Sequence, residues 1–284
     1  MQKLEYCKPK TLAEALLLLS EKNTKPFAGG TDLMVQLREG KEKLQEVARL
    51  VDISALPELH GIRIEGDKVS IGAMTSHTEA ERSPLLQAEA AFLSAASRTV
   101  GSPQIRNLGT VGGNICNGSP AADTLSPFVA LCSELVICSV NGERRMLVKD
   151  IYERAGKISL AADELVTRIE FPRLTGYQTA FLKLGRRKAL AISRLNAAVA
   201  LKMEDGVITD ARIVPGCVFG APDRVEDAEK MAIGQRPSRT LFADCGARVS
   251  EEMIARTGVR WSTEYKKPAI EALIERALLQ AAGM

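Results

Sequence analysis

The chain of 284 residues is short of the residues and motifs that announce most chemistries. Its six cysteines, Cys7, Cys116, Cys132, Cys138, Cys217 and Cys245, form no C-x-x-C pair. That spacing argues against a self-contained zinc or iron–sulfur centre and leaves free thiols as the expectation. The two histidines, His60 and His77, stand in no ligand-like cluster, so no metal site is expected. Both are expected in surface or loop positions. His77 is the better functional candidate because it follows the turn Gly72-Ala73-Met74-Thr75. No stretch approaches the ~20 apolar residues of a membrane span. The run Leu12–Leu19 is short and follows charged residues, unlike a signal peptide, so a cytoplasmic location is expected. A net charge of +3 with short basic runs such as Arg186-Arg187-Lys188 argues against nucleic acid as a partner. The G-x-G-x-x-G, G-x-x-x-x-G-K-[ST] and G-x-S-x-G motifs are all missing, which disfavours the familiar dinucleotide, nucleoside-triphosphate and serine-hydrolase folds.

What is present is an ordinary globular composition, 45% hydrophobic and 26% charged, on a chain long enough for two domains or one with an appendage. Thr11-Leu12-Ala13-Glu14 is a capping box ahead of an apolar helix that should run to about Lys22. A strand over 25–28, a helix from Thr31 to Arg38 and a strand over 49–53 complete a first β/α unit. Strand 69–73 follows, then a helix over 88–100, and a helix over 121–132 with Ser119 as cap and Pro120 at the first position. Strands 135–140 and 145–148 are joined through Asn141-Gly142, a hairpin signal. Strand 165–171, a meander of three strands over 179–214 turning at Asp205-Gly206, and helices over 223–233, 237–256 and 266–281 close the chain. The order is α+β.

Two glycine turns carry the strongest chemical signal. Thr110-Val111-Gly112-Gly113-Asn114 leads through Cys116 to Ser119-Pro120-Ala121-Ala122-Asp123; Phe27-Ala28-Gly29-Gly30-Thr31-Asp32-Leu33 lies far upstream. Bare glycine backbone beside a helix start suits a phosphate or another anion, and two such turns suggest a diphosphate held from both sides. Asp32 and Asp123 are equally readable as first-turn carboxylates that stabilise a helix by about 0.3–1 kcal/mol. Cys116 is expected as a packing residue, since no histidine partners it.

Taken in order, Ala28-Gly29-Gly30-Thr31-Asp32-Leu33, Gly72-Ala73-Met74-Thr75, Gln104 through Asn114 and Ser119-Pro120-Ala121-Ala122-Asp123 resemble the FAD-binding (medium) subunit of molybdenum hydroxylases, the family of xanthine, carbon monoxide and nicotinate dehydrogenases. The resemblance spans nearly the whole chain. It implies a vanillyl-alcohol-oxidase-type (PCMH) FAD fold with two α/β subdomains, residues 1–56 and 57–175, and a C-terminal sheet-and-helix flavoprotein domain, residues 176–284. By the same resemblance Phe27, Ala28, Gly29, Gly30, Thr31, Asp32, Leu33 and Met34 form the first FAD phosphate loop. Thr110, Gly112, Gly113 and Asn114 form the second. Asp123 serves the adenosine side, Leu165 packs near the adenine, and Lys183 reaches towards the flavin. Asn107 and Ser119 are weaker loop supports. Many family members carry an acid shortly after the Lys–Arg pair, where this chain has Ala191.

The function implied is an electron-transfer subunit: electrons pass from iron–sulfur clusters through FAD to NAD or another acceptor, with an iron–sulfur subunit and a molybdenum-cofactor subunit as partners. No acid, base or nucleophile of the chain is expected to be catalytic, because flavin carries the redox chemistry. Two other readings stay open, a free-standing FAD oxidase or dehydrogenase of the same broad fold and a non-catalytic assembly subunit.

Overall fold

The computed structural model describes residues 4–284. The first layer runs β1 (Glu5–Cys7), α1 (Leu12–Leu19), β2 (Thr24–Phe27), α2 (Leu33–Arg38) and β3 (Arg49–Asp52), its three strands forming a parallel sheet in the order β1-β3-β2. The hydroxyl of Thr11 accepts the Glu14 amide at 3.2 Å, and the Glu14 carboxylate accepts the Lys10 amide at 2.7 Å, so the capping signal starts α1 as expected. The helix stops at Leu19 rather than near Lys22, and Asn23, at φ 60°, turns the chain into β2.

The second layer holds β4 (Ile62–Glu65), β5 (Lys68–Gly72), six short helices, β6 (Glu134–Ser139), β7 (Gly142–Leu147), a small β8 (Tyr152–Arg154) and β9 (Lys157–Ile158) pair, and β10 (Leu165–Pro172). Its antiparallel sheet runs β4-β5-β10-β6-β7. The helices are α3 (His77–Arg82), α4 (Pro84–Glu89), α5 (Ala91–Arg98), α6 (Pro103–Leu108), α7 (Val111–Cys116) and α8 (Leu125–Ala130). The single helix expected over 88–100 is two, because Ala90 adopts φ −155°, ψ 57° between α4 and α5.

In the third layer β11 (Tyr177–Gly185), β12 (Ser193–Glu204) and β13 (Val207–Gly216) form an antiparallel meander backed by α9 (Glu226–Ala232), α10 (Arg239–Thr257) and α11 (Thr263–Ala281). The apolar run of β12 is explained by burial on both faces. Ala198 and Ala200 join the core of the second layer, whereas Ala197, Val199 and Leu201 join the core under the C-terminal helices. The third sheet is therefore the wall between two cores. A smaller cluster, containing Val51, Leu56, Met74 and Leu165 with Ala28 packed against it, ties the first layer to β10. Among the described residues no helix is long and apolar enough to cross a membrane.

Candidate functional site

The first glycine turn leaves the edge of β2 and runs into α2. Gly30 sits at φ 67°, and a Cβ there would stand 2.8 Å from the Phe27 ring and 3.4 Å from Met34 Cγ. Phe27, itself edge-on to Tyr6 at 6.1 Å, and Met34 thus close around the turn. Among the described residues the amides of Gly29, Gly30, Thr31, Asp32 and Leu33 donate to no protein acceptor, and the first bond of the helix is Met34 N–H to Gly30 O at 3.1 Å. Asp32 makes no side-chain cap. This leaves a row of free donors on a half-buried loop, the arrangement an anion needs.

Gly29 has a different task. A Cβ at this position would fall 1.8 Å from the carbonyl oxygen of Leu108. The two glycine segments are in backbone contact there, and only hydrogen fits between them. A bond from Gln36 Nε2 to Asn117 Oδ1 at 3.0 Å ties α2 to the end of α7.

The second glycine segment differs from the sequence reading. Gly112 and Gly113 lie within α7, capped by Thr110, and their amides are engaged: Gly112 N–H donates to Ala73 O at 2.9 Å and Gly113 N–H to Thr110 Oγ1 at 3.1 Å. A Cβ at Gly112 would meet Ala73 Cβ at 2.7 Å, so this glycine allows close packing on the turn after β5 rather than exposing donors. His77 N–H to Gly109 O at 3.0 Å and Val111 N–H to Thr75 O at 2.9 Å complete the clamp between the Gly72–Thr75 turn and this segment. Gly113 is exposed, and a Cβ there would meet only Thr110 Oγ1, at 2.8 Å. It is the glycine that presents bare backbone on this side.

No helix starts at Ser119-Pro120. The Ser119 hydroxyl accepts the Ala121 amide at 3.3 Å in a local turn, and α8 begins at Leu125 after Thr124. Asp123 is therefore not a first-turn carboxylate. It is 5% exposed and sits 2.5 Å from Lys183 Nζ through Oδ2, while Ser193 Oγ donates to Oδ1 at 2.5 Å and Thr99 Oγ1 lies 3.2 Å from Oδ2. Lys183 also donates to Thr99 O at 3.0 Å. Burial pushes the Asp123 carboxyl above its ordinary range, and Lys183 with the two hydroxyls opposes that shift. The structure thus joins Asp123 and Lys183, which the resemblance placed at opposite ends of a cofactor; a single ion pair serves one end. Thr124 Oγ1 donates to Asn114 Oδ1 at 2.7 Å and couples this cluster to the second glycine segment.

The remaining candidates fall as follows. Leu165 opens β10 and packs in the cluster that includes Met74 and Ala28, beneath the first turn. Asn107 accepts from Thr78 Oγ1 at 2.6 Å and so supports the loop before α7. His77 is buried, not on the surface, and burial with Arg106 nearby lowers its pKa to about 4, so its ring is neutral at physiological pH. Burial pushes the Cys116 thiol up to about 12, which disfavours a thiolate there. With Ala191 in place of an acid, Arg187 bonds the carbonyls of its own loop, Ala189 O at 3.1 Å and Leu190 O at 2.5 Å. Thr99 and Ser193 were missed from sequence, since neither lies in a motif. Among the described residues no group of histidine, cysteine and acidic side chains could hold a metal.

Comparison with known proteins supplies the context. A family described as "FAD binding domain in molybdopterin dehydrogenase" matches residues 2–174, and one described as "CO dehydrogenase flavoprotein C-terminal domain" matches residues 180–281. This chain belongs to the family of FAD-binding subunits of molybdenum hydroxylases. The FAD subunit is 34% identical to the nicotinate dehydrogenase FAD-subunit of Eubacterium barkeri over 97% of its own length and 95% of the relative's. It is 31% identical to the glyceraldehyde dehydrogenase medium chain of Sulfolobus acidocaldarius, covering 98% of each. A chain of reconstituted CO dehydrogenase from Oligotropha carboxidovorans superposes with a TM-score of 0.90 at 29% identity, over 99% of this chain and 98% of that one. The α+β, vanillyl-alcohol-oxidase-type fold, the oxidoreductase class and FAD as cofactor follow from the family. The residues present fit the cofactor's chemistry: a row of free loop amides able to donate to an anion, an exposed Gly113 on the second segment, and the buried amino group of Lys183.

Proposed function

We propose that the FAD subunit passes electrons from iron–sulfur clusters on a partner chain through FAD to a separate acceptor, with NAD as the first candidate. The observation that carries the reading is the row of unpartnered amides from Gly29 to Leu33 in backbone contact with the second glycine segment at Leu108. These amides hold the diphosphate, Gly113 and Asn114 close from the other side, and Leu165 lies near the adenine end because it packs beneath the first turn. The Asp123–Lys183 pair is built on the third sheet, through Lys183 on β11 and Ser193 on β12, whereas Leu165 packs with Ala28 of the first turn, and this supports placing the pair at the flavin end. FAD, when bound, supplies two-electron redox chemistry; the protein's part is to bind, orient and set the charge around it. No side chain of the chain is needed as an acid or base.

The partners proposed are an iron–sulfur subunit and a molybdenum-cofactor subunit, since relatives are named as FAD subunits or medium chains. Trp261, Val259 and Ile192 are 87%, 81% and 79% exposed, and apolar area of this kind supports a chain covered by neighbours in an assembly. Division into residues 1–56, 57–175 and 176–284 and a cytoplasmic location belong to the same proposal; the first is supported by the three main sheets falling in separate stretches of chain, the second by six cysteines that are all free.

Anaerobic mixing of the FAD-loaded subunit with NADH tests acceptor use, because hydride transfer to NAD is reversible. Bleaching of the flavin's visible absorbance by NADH is expected. An inert flavin that the reduced iron–sulfur partner still bleaches points to a different acceptor. A flavin that neither reductant bleaches contradicts the electron-transfer role.

A further inference from the structure

We infer that Ser193 is a positioning residue: its hydroxyl holds the Asp123 side chain in place and thereby fixes the Lys183 amino group at the flavin end of the site. The inference rests on the proposed placement of Lys183 and adds a residue that no motif contains. Its basis is the register of the third sheet. Lys183 pairs with Asn196 and Leu184 with Leu195, after which the register shifts and Gly185 pairs with Ser193. Regular alternation would put Ser193 on the face of Leu195 and Ala197, in the core under the C-terminal helices. The bulge turns it over. Opposite Gly185 it shares the face of Lys183, and its Oγ reaches Asp123 Oδ1 at 2.5 Å. Bulges re-aim side chains in this way, and they are frequent beside functional sites.

The second hydroxyl cannot replace the first. Thr99 Oγ1 has one proton and two acceptors, Ala96 O at 2.7 Å and Asp123 Oδ2 at 3.2 Å, and the nearer carbonyl competes for it. Ser193 Oγ, 5% exposed as a residue, has Asp123 as its one acceptor among the described residues. A charge-assisted bond from a committed donor to Oδ1 fixes the Asp123 carboxyl group and leaves Oδ2 aimed at Lys183 Nζ. A fixed ammonium favours the more negative, reduced form of a nearby cofactor, as a preorganised charge does for any developing anion.

The test is the midpoint potential of bound FAD in Ser193→Ala, Ser193→Thr and Lys183→Met, measured with FAD content and thermal midpoint on the same preparations. Ser193→Ala is expected to bind FAD and to lower the ratio of reduced to oxidised cofactor at fixed potential about tenfold, about 30 mV for a two-electron couple. Ser193→Thr restores it. In the Asp123→Asn background Ser193→Ala changes nothing further, a non-additivity that a merely structural serine does not produce. If Ser193→Ala loses FAD, Ser193→Cys, similar in volume and weaker as a donor, is read in its place for a shift in the same direction. An unchanged potential in Ser193→Ala while Lys183→Met shifts it overturns the role of Ser193 alone. An unchanged potential in Lys183→Met overturns the placement of Lys183 at the flavin, and the inference falls with it.

Discussion

Gly29→Ala is expected to separate the two glycine segments of the proposed FAD site. The added Cβ would lie 1.8 Å from the Leu108 carbonyl oxygen and 2.5 Å from its carbon. Backbone atoms cannot rotate aside as a side chain can, so one loop must move. Overpacking costs typically 1–3 kcal/mol, and a backbone clash puts this site at the upper end, about 3 kcal/mol. The effect on cofactor should exceed the effect on fold, because the free amides from Gly29 to Leu33 move with the loop. Urea unfolding together with FAD content per chain measures both. A Gly29→Ala protein with full FAD content and wild-type stability contradicts the contact. Gly40, at φ 63° with no atom within 4 Å of a Cβ, is the control; an alanine there costs about 1–2 kcal/mol through backbone conformation alone and should leave FAD content unchanged.

Asp123→Ala is expected to cost about 3–5 kcal/mol, the range for removing one partner of a buried pair. The side chains of Lys183 and Asp123 are 12% and 6% exposed, so the remaining ammonium has little access to water. Its other acceptor, Thr99 O, is a neutral carbonyl and compensates only in part. The cost is smaller if Lys183 is removed as well, and the double variant Asp123→Ala with Lys183→Met should be more stable than Asp123→Ala alone. Denaturant midpoints for the four proteins of this cycle give the coupling directly. Strictly additive effects would show that the pair contributes nothing as a pair.

The parts of this molecule legible from sequence are those where the backbone itself makes a demand. The turn at Gly29-Gly30, the capping residues of α1 and the positive-φ Asp205-Gly206 turn between β12 and β13 need particular residue types, and these mark the chain. The α+β order followed from strand and helix periods. The second glycine segment misled for a physical reason. Two glycines disfavour a helix by propensity, yet Gly112 is placed in α7 because only hydrogen fits against Ala73. Tertiary packing outweighed the local preference. Ser119-Pro120 carried a strong start signal that the fold does not use, since the turn before Asp123 delivers its carboxylate into the interior instead. The polar cluster was hidden by distance along the chain. Lys183 and Ser193 lie 60 and 70 residues from Asp123, and the bulge that brings Ser193 round leaves no mark in the sequence. His77 was misplaced because a lone histidine carries no sign of burial in its neighbours.

On the proposed reading, the amides of the first glycine turn hold the FAD diphosphate. Hydrogen exchange measured residue by residue on the FAD-free and FAD-loaded chain tests it most directly. Free amides exchange fast, and amides that donate to an anion do not. Gly29, Gly30, Thr31, Asp32 and Leu33 are expected to exchange fast without cofactor and to be strongly protected with it, while Gly112, already bonded to Ala73, changes little. Saturating FAD that leaves the first turn unprotected would place the diphosphate elsewhere.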